Sequence, residues 1–183
     1  LLTRLGTPVE MATVLNNLSA ANLEMGKKEQ VKEYLEEARE IYRQNQNLEG
    51  EAQTLMNLAA FLEDESDYAL QNYLLALDIC RKIEDQDSEA TCLHNLGILA
   101  NNRDDLEGAE NFLLAALTIR RAIEDQEGTA KTLFELGALF SEAQDFNLAE
   151  KYISEAVEID RYYNYPNLSR DEKALKKIQQ LKG

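Results

Sequence analysis

Few residues of this sequence have a spacing that would let them catalyse a reaction or bind a metal ion jointly. His94 is the only histidine, and the spacing places no Ser or Cys beside it with a third group to orient its ring, as nucleophilic catalysis requires. Cys80 and Cys92 are 12 residues apart without a second cysteine pair, so they predict two small buried thiols rather than a zinc site. The carboxylates of Glu84-Asp85 and Glu124-Asp125 fall at predicted helix ends exposed to water, which do not suit acid catalysis. We therefore predict a protein that is not an enzyme and that holds no metal ion or cofactor.

Charge and composition restrict the class of partner. The chain has 183 residues, with 19 Lys and Arg against 34 Asp and Glu, and so a net charge of −15. This charge predicts no binding to nucleic acid or to an anionic membrane surface, because both require a basic patch. No apolar run approaches the roughly 20 residues that span a bilayer, and no signal peptide is recognisable. Because the two cysteines also suit a reducing compartment, we expect a cytoplasmic location.

The sequence repeats with a period of about 40 residues. Each unit has an alanine followed by leucine at three and six positions, and a second alanine in its other half. The first alanines are Ala12, Ala52, Ala90 and Ala130, spaced by 40, 38 and 40 residues, and the second are Ala38, Ala76, Ala116 and Ala156. Apolar residues recur every three or four positions within each half, which is the period of an amphipathic helix. Each of the four units is therefore predicted to be a pair of helices.

These patterns predict one all-α domain over residues 1–183, with repeats at 10–49, 50–87, 88–127 and 128–167. The first helices are expected near 10–24, 50–63, 88–102 and 128–143, and the second helices near 28–46, 66–84, 106–124 and 146–164. Unit two is two residues shorter between Leu58 and Ala69, which predicts a shortened turn between its helices. A basic amphipathic segment at 170–181 is predicted to be a capping helix, because a terminal repeat must present a polar face to water.

The repeat resembles the tetratricopeptide repeat family, whose pattern is W-x2-L-G-x2-Y followed by A-x3-F. Unit four contains Leu133-x2-Leu136-Gly137-x2-Phe140 and then Ala149-x3-Ile153-x2-Ala156. The sequence departs from the pattern at Ser19 and Ala59, which replace the glycine, and it contains no tryptophan. The period of 40 is similar to that of long-repeat members such as kinesin light chains and the sensor domains of some bacterial transcription activators. The resemblance implies a right-handed superhelical solenoid of antiparallel helix pairs.

The start of the chain has a pattern of its own. Aligned on the repeat, Leu1 takes the position of Ile41 and Ile79, near the end of a second helix. This alignment predicts a fragment of a longer solenoid. The alternative is a short leader that contains several leucines by coincidence.

Function in such folds usually lies on the face formed by the first helices. On the stripe of that face left free by the Ala and Leu positions, Asn17, Asn57 and Asn95 occupy equivalent sites, and Glu135 replaces the fourth amide. An amide can both donate to and accept from a peptide backbone, and in similar long-repeat families an Asn at this position does so. The alternative is that these amides bond to the neighbouring repeat. The candidate groove residues are Asn16, Asn17, Glu24, Met56, Asn57, Asp64, His94, Asn95, Ile98, Asn102, Lys131, Phe134, Glu135 and Glu142.

The charge of this stripe indicates the partner's chemistry. Its carboxylates, which include Glu63, outnumber its one cation, Lys131, so we expect a basic or amphipathic protein or peptide with apolar anchors. His94 could make binding depend on pH near 6 to 7. We therefore predict a non-catalytic scaffold that binds a peptide or helical segment of a partner in the groove. The alternatives are a self-association module that forms homo-oligomers, or a ligand-sensing arm of a larger signalling or transcription-regulating protein.

Overall fold

The computed structural model describes residues 6–62 and 66–182, which form nine α-helices without a strand among them. The helices are α1 (Pro8–Glu24), α2 (Lys28–Gln44), α3 (Leu48–Phe61), α4 (Ser66–Lys82), α5 (Gln86–Asn102), α6 (Leu106–Ala122), α7 (Gln126–Glu142), α8 (Phe146–Tyr163) and α9 (Leu168–Lys182). Every boundary lies within two residues of its predicted position. None of the described helices is long and apolar enough to cross a membrane.

Short polar side chains start the helices at regular intervals. Four aspartates each accept a hydrogen bond of 2.8–3.1 Å from the backbone N–H three residues later, namely Asp85, Asp105, Asp125 and Asp145. The residue before each aspartate has a left-handed backbone, and these residues are Glu84, Asp104, Glu124 and Gln144. Because this turn recurs every 20 residues, the three helices between successive turns, α5 to α7, each contain 17 residues.

Repeat two differs from the others in its first helix. Helix α3 has 14 residues, whereas α1, α5 and α7 have 17 each. The shortened turn predicted for this repeat falls on residues 63–65, which lie outside the described residues. Residues 1–5, which include Leu1, also lie outside them.

The chain divides into two compact units after Cys92, and each has its own core. In the first unit, one cluster joins α1 to α2 and a second joins α2 to α3. The first cluster contains Ala12, Leu15, Ala38 and Tyr42, and the second contains Val31, Leu35 and Leu58. The alanines predicted from the repeat are fully buried, because a small side chain lets two helices approach closely.

In the second unit, α6 packs against α7 through Leu113, Leu117, Leu133 and Leu136. Gly137 lies against Ile153 of α8, and a Cβ at this position would collide with the isoleucine side chain. The glycine of the repeat pattern therefore permits the close approach of α7 and α8.

Helix α9 covers the end of the second unit. Its Ile178 joins a cluster with Ile153 and Val157 of α8. Asp160 of α8 and Asp171 of α9 are both buried, and the Arg170 Nε donates to Asp171 Oδ1 at 2.7 Å. Burial raises the pKa of the Asp160 carboxyl above its usual value, and the neighbouring Asp171 carboxyl raises it further. The cap is therefore held by apolar packing around a buried carboxyl pair.

Candidate peptide-binding site

A polar cleft lies between α1 and α3 in the first unit. Its volume is about 470 Å³, and Ser88 at the start of α5 also lines it. The amide side chains that line it are Asn16, Asn17, Asn47, Gln53 and Asn57, and the carboxylates that line it are Glu49 and Asp85. Of the predicted groove residues, the structure thus brings Asn16, Asn17 and Asn57 together in one depression.

The three predicted amides of this cleft have different partners. Asn16 Nδ2 donates to Thr54 Oγ1 at 2.9 Å, and the Thr54 hydroxyl donates to the Gly50 carbonyl oxygen at 2.8 Å. Asn16 therefore joins α1 to α3. The half-buried Asn57 accepts a 3.1 Å hydrogen bond from Gln53 Nε2, and Asn17 is exposed without a hydrogen bond among the described residues. The amides of Asn17 and Asn57 keep donor and acceptor capacity for a ligand.

An apolar pocket of about 210 Å³ opens beside this cleft. Ala20 and Asn57 line both this pocket and the cleft, and the rest of the pocket is lined mainly by apolar side chains. Its other lining residues are Ser19, Leu23, Val31, Leu35, Ala60 and Phe61. A polar cleft and an apolar pocket that meet at one amide can hold a peptide backbone and one of its side chains side by side.

A larger depression of about 760 Å³ lies between α2 and the end of α3. Phe61 and Leu62 contribute to its floor, and six charged side chains of α2 form its walls. Lysines and glutamates on an exposed helix face are well solvated without a ligand. We therefore place the site in the smaller cleft, where polar groups converge.

Met56, Asp64 and Glu24 complete the predicted residues of the first two repeats. Met56 is only 6% exposed, so its side chain belongs to the core and offers little surface to a partner. Asp64 lies outside the described residues, as do Glu63 and the side chain of Glu24.

In the second unit, His94 contacts a polar cluster between α5, α6 and α7. Its Nδ1 lies 3.3 Å from Thr132 Oγ1, which also accepts from Arg120 Nη1 at 2.8 Å. Burial, followed by the charges of Arg120 and Lys131, lowers the pKa of His94 to about 3. The predicted pH response near 6 to 7 is therefore wrong, because the imidazole stays neutral in that range.

The fourth repeat is partly covered by the cap. The guanidinium of Arg170 lies 3.8 Å from the centre of the Phe134 ring, which is a cation–π distance. Burial raises the pKa of Glu135, and Arg170 opposes this effect. Arg170 therefore occupies the surface that these two residues were predicted to offer a partner.

The other predicted residues of the second unit are half-buried or exposed. Asn95 and Ile98 are half-buried on α5, and Asn102 is exposed at its end. Glu142 accepts from Asn101 Nδ2 at 2.9 Å, which joins α5 to α7, and Lys131 pairs with Glu127 on its own helix at 2.7 Å.

Comparison with known sequences identifies the repeat. Sequence models of the tetratricopeptide repeat match residues 11–45, 50–122 and 100–161, which together cover most of the chain. The chain belongs to the tetratricopeptide repeat family. No curated protein sequence matches it over its length at a significant level.

Solved structures show the tetratricopeptide solenoid fold. BtubC (BKLC) from P. vanneervenii is 19% identical with a TM-score of 0.87, over 96% of this chain and 74% of that one. The repeats of a putative kinesin light chain from Podosopora anserina are 15% identical with a TM-score of 0.79, over 98% of this chain and 90% of that one. A Rap protein complexed with Competence and Sporulation Factor is 17% identical with a TM-score of 0.82, over 97% of this chain and 54% of that one. These similarities confirm the predicted all-α solenoid of long repeats.

Sequence reasoning missed the apolar pocket of the first tetratricopeptide repeats. Val31 and Leu35 are four residues apart, as on one face of a helix, so their apolar side chains were assigned to the core alone. Two signals pointed to it: Leu23 is a large apolar residue beside the amides on the first-helix stripe, and Phe61 is an aromatic residue at the end of a first helix.

Proposed function

We propose that this tetratricopeptide repeat chain is a protein-binding scaffold that holds an extended segment of a partner in the cleft between α1 and α3. The observation that supports this function is the pair of amides in that cleft, Asn17 and Asn57, which retain capacity for hydrogen bonds. An extended peptide presents N–H and C=O groups in alternation, and amides pair with both. Tetratricopeptide repeats generally form scaffolds without catalytic groups, which agrees with this function.

The charge of the cleft favours a basic partner. Glu49 and Asp85 line it, and neither lysine nor arginine is found among the described residues of its walls. With a net charge of −15, the whole chain attracts basic segments over longer distances as well. The Rap protein solved with Competence and Sporulation Factor supports the view that this fold can accommodate a ligand.

Replacing Asn17 and Asn57 together with alanine should weaken the capture of peptides. Two hydrogen bonds at about 0.5–1.5 kcal/mol each correspond to a loss of about 5- to 150-fold in affinity. The measurement is a selection of displayed random dodecapeptides on the wild-type protein, followed by titration of the selected peptides against both proteins.

A matched control for this experiment replaces Asn111 and Asn147, which are exposed on α6 and α8, with alanine. The control should bind like the wild type, and circular dichroism should show equal helicity in all three proteins. Selection of no peptide above an unrelated helical protein, or equal binding by the Asn17 and Asn57 double variant, would contradict the proposed function.

A second candidate function, self-association, is favoured by an exposed apolar stripe on α1. Val14 and Leu18 are 55% and 42% exposed, whereas the equivalent residues of α3, Thr54 and Leu58, are 0% and 3% exposed. The stripe has the heptad spacing of a helix-pairing seam and contains Met11, Val14 and Leu18, and Met25 continues this spacing directly after the helix.

Light scattering tests this second function. If two copies pair through α1, the mass should rise towards a dimer with concentration, and Leu18→Glu should keep the protein monomeric. Leu74→Glu, which changes an exposed leucine of α4, is the control and should leave the mass unchanged. A constant monomer mass over a hundredfold range of concentration would rule out self-association.

A further inference from the structure

We propose that the cleft between α1 and α3 selects segments in which a lysine or arginine lies four to six residues from one large apolar residue. This inference rests on the proposed function, because it specifies which segments the amide cleft would bind. It combines the apolar pocket, the acidic end of the cleft and the distance between them.

The apolar pocket has room for one large side chain. Its volume of about 210 Å³ exceeds the ~150 Å³ of a cavity that can hold benzene. Leu23 is 50% exposed at its mouth, and Val31 and Leu35 of α2 are buried beneath it. Binding would be about 10- to 100-fold stronger for a ligand that moves a large apolar side chain from water into this pocket. Leucine, isoleucine, methionine and phenylalanine have such side chains.

The opposite end of the cleft suits a cation. Glu49 and Asp85 line both the cleft and an adjoining depression, so a ligand could approach their carboxylates from two sides. The nearby Arg81 is paired with Glu89 at 2.8 Å and does not line the cleft. A lysine or arginine of the ligand would therefore form charge-assisted hydrogen bonds without competition from a protein cation.

The geometry of α3 sets the spacing between the two features. Glu49 and Phe61 are 12 residues apart on this helix, which at 1.5 Å per residue is about 18 Å. An extended segment advances about 3.3 Å per residue, so about five to six residues cover this distance. Asn57 lies between Glu49 and Phe61 and lines both the cleft and the apolar pocket. From there its side-chain amide could form hydrogen bonds with the ligand backbone.

The peptides selected on the wild-type protein test this proposal. They should be enriched in a Lys or Arg four to six positions from a Leu, Ile, Met or Phe. Ala60→Phe fills the apolar pocket from an exposed helix position. It should therefore remove the preference for an apolar residue and lower the affinity for the selected peptides at least 10-fold. The control Ala122→Phe changes an exposed alanine of α6 and should change neither the apolar preference nor the affinity.

A second variant tests the acidic end. Asp85→Asn removes a charge while the amide can still accept the hydrogen bond from the Ser88 N–H, so α5 should stay capped. The preference for a basic residue should fall with this variant. It should persist in the control Asp105→Asn, which changes the equivalent cap of α6.

The outcomes separate this proposal from the function on which it rests. Peptides that depend on Asn17 and Asn57 but lack the basic-to-apolar spacing would overturn the proposal and leave the function standing. Unchanged preferences in Ala60→Phe and Asp85→Asn would overturn it in the same way. Selection of no peptide at all would remove the function and this proposal together.

Discussion

Acidification is expected to destabilise the protein through His94 by about 3–5 kcal/mol, at about 1.36 kcal/mol per pKa unit. The pKa of His94 falls from 6.5 to about 3 in the folded chain, mainly because the half-buried ring loses contact with water and then because Arg120 and Lys131 lie nearby. The unfolded chain takes up this proton near 6.5, and the folded chain does so only near 3. Stability from His94 is therefore fully present above about pH 6.5 and is lost as the pH falls towards 3.

The measurement is urea unfolding of the wild type and of His94→Gln at about pH 7, 5 and 4. The glutamine does not titrate and keeps a polar group near the Thr132 hydroxyl. All other titrating groups are shared, so the difference between the two proteins isolates the histidine. The wild type should lose more stability on acidification than the variant. Parallel pH profiles would show that His94 is not buried in a neutral form.

Truncation of Leu133 to alanine should lower the free energy of unfolding by about 2–5 kcal/mol. Leu133 is fully buried in the cluster of α6 and α7, where it packs with Leu113 and Leu136. The close packing of this cluster leaves little room for neighbours to fill the cavity. The loss therefore includes a cavity term as well as the lost burial of apolar surface.

Equilibrium denaturation checks this value against a matched leucine. Leu181→Ala changes a leucine that is 53% exposed on α9 and should alter stability by no more than about 0.5 kcal/mol. Equal effects of the two substitutions would contradict the burial pattern. The far-ultraviolet spectrum of both variants should match that of the wild type before unfolding.

The helices could be predicted from the sequence because two independent signals agree on them. The alanine positions define which face is buried, and Ala12 and Ala38 are fully buried as their positions imply. The leucine positions do so in units two to four, whereas Leu18 of unit one is 42% exposed. The regular turns then fix the starts of α5 to α8, since each has an aspartate such as Asp105 that accepts from the backbone three residues later. Local chemistry alone determines both features.

The site was less predictable because its residues depend on contacts between helices. Asn16 and His94 lie on the predicted stripe, but Thr54 and Thr132 of the next first helices approach their side chains. Periodicity shows which face a residue occupies and not whether a hydroxyl lies opposite. Phe134 was judged accessible for the same reason, whereas Arg170 reaches it from α9, outside the repeat.

The most direct test of the central claim is a crystal structure of the protein with one selected peptide. We predict that the peptide lies extended between α1 and α3, with its main-chain N–H and C=O groups at hydrogen-bond distance, about 2.7–3.2 Å, from the side-chain amides of Asn17 and Asn57. A peptide seated on another face, or one that contacts neither amide, would contradict the account.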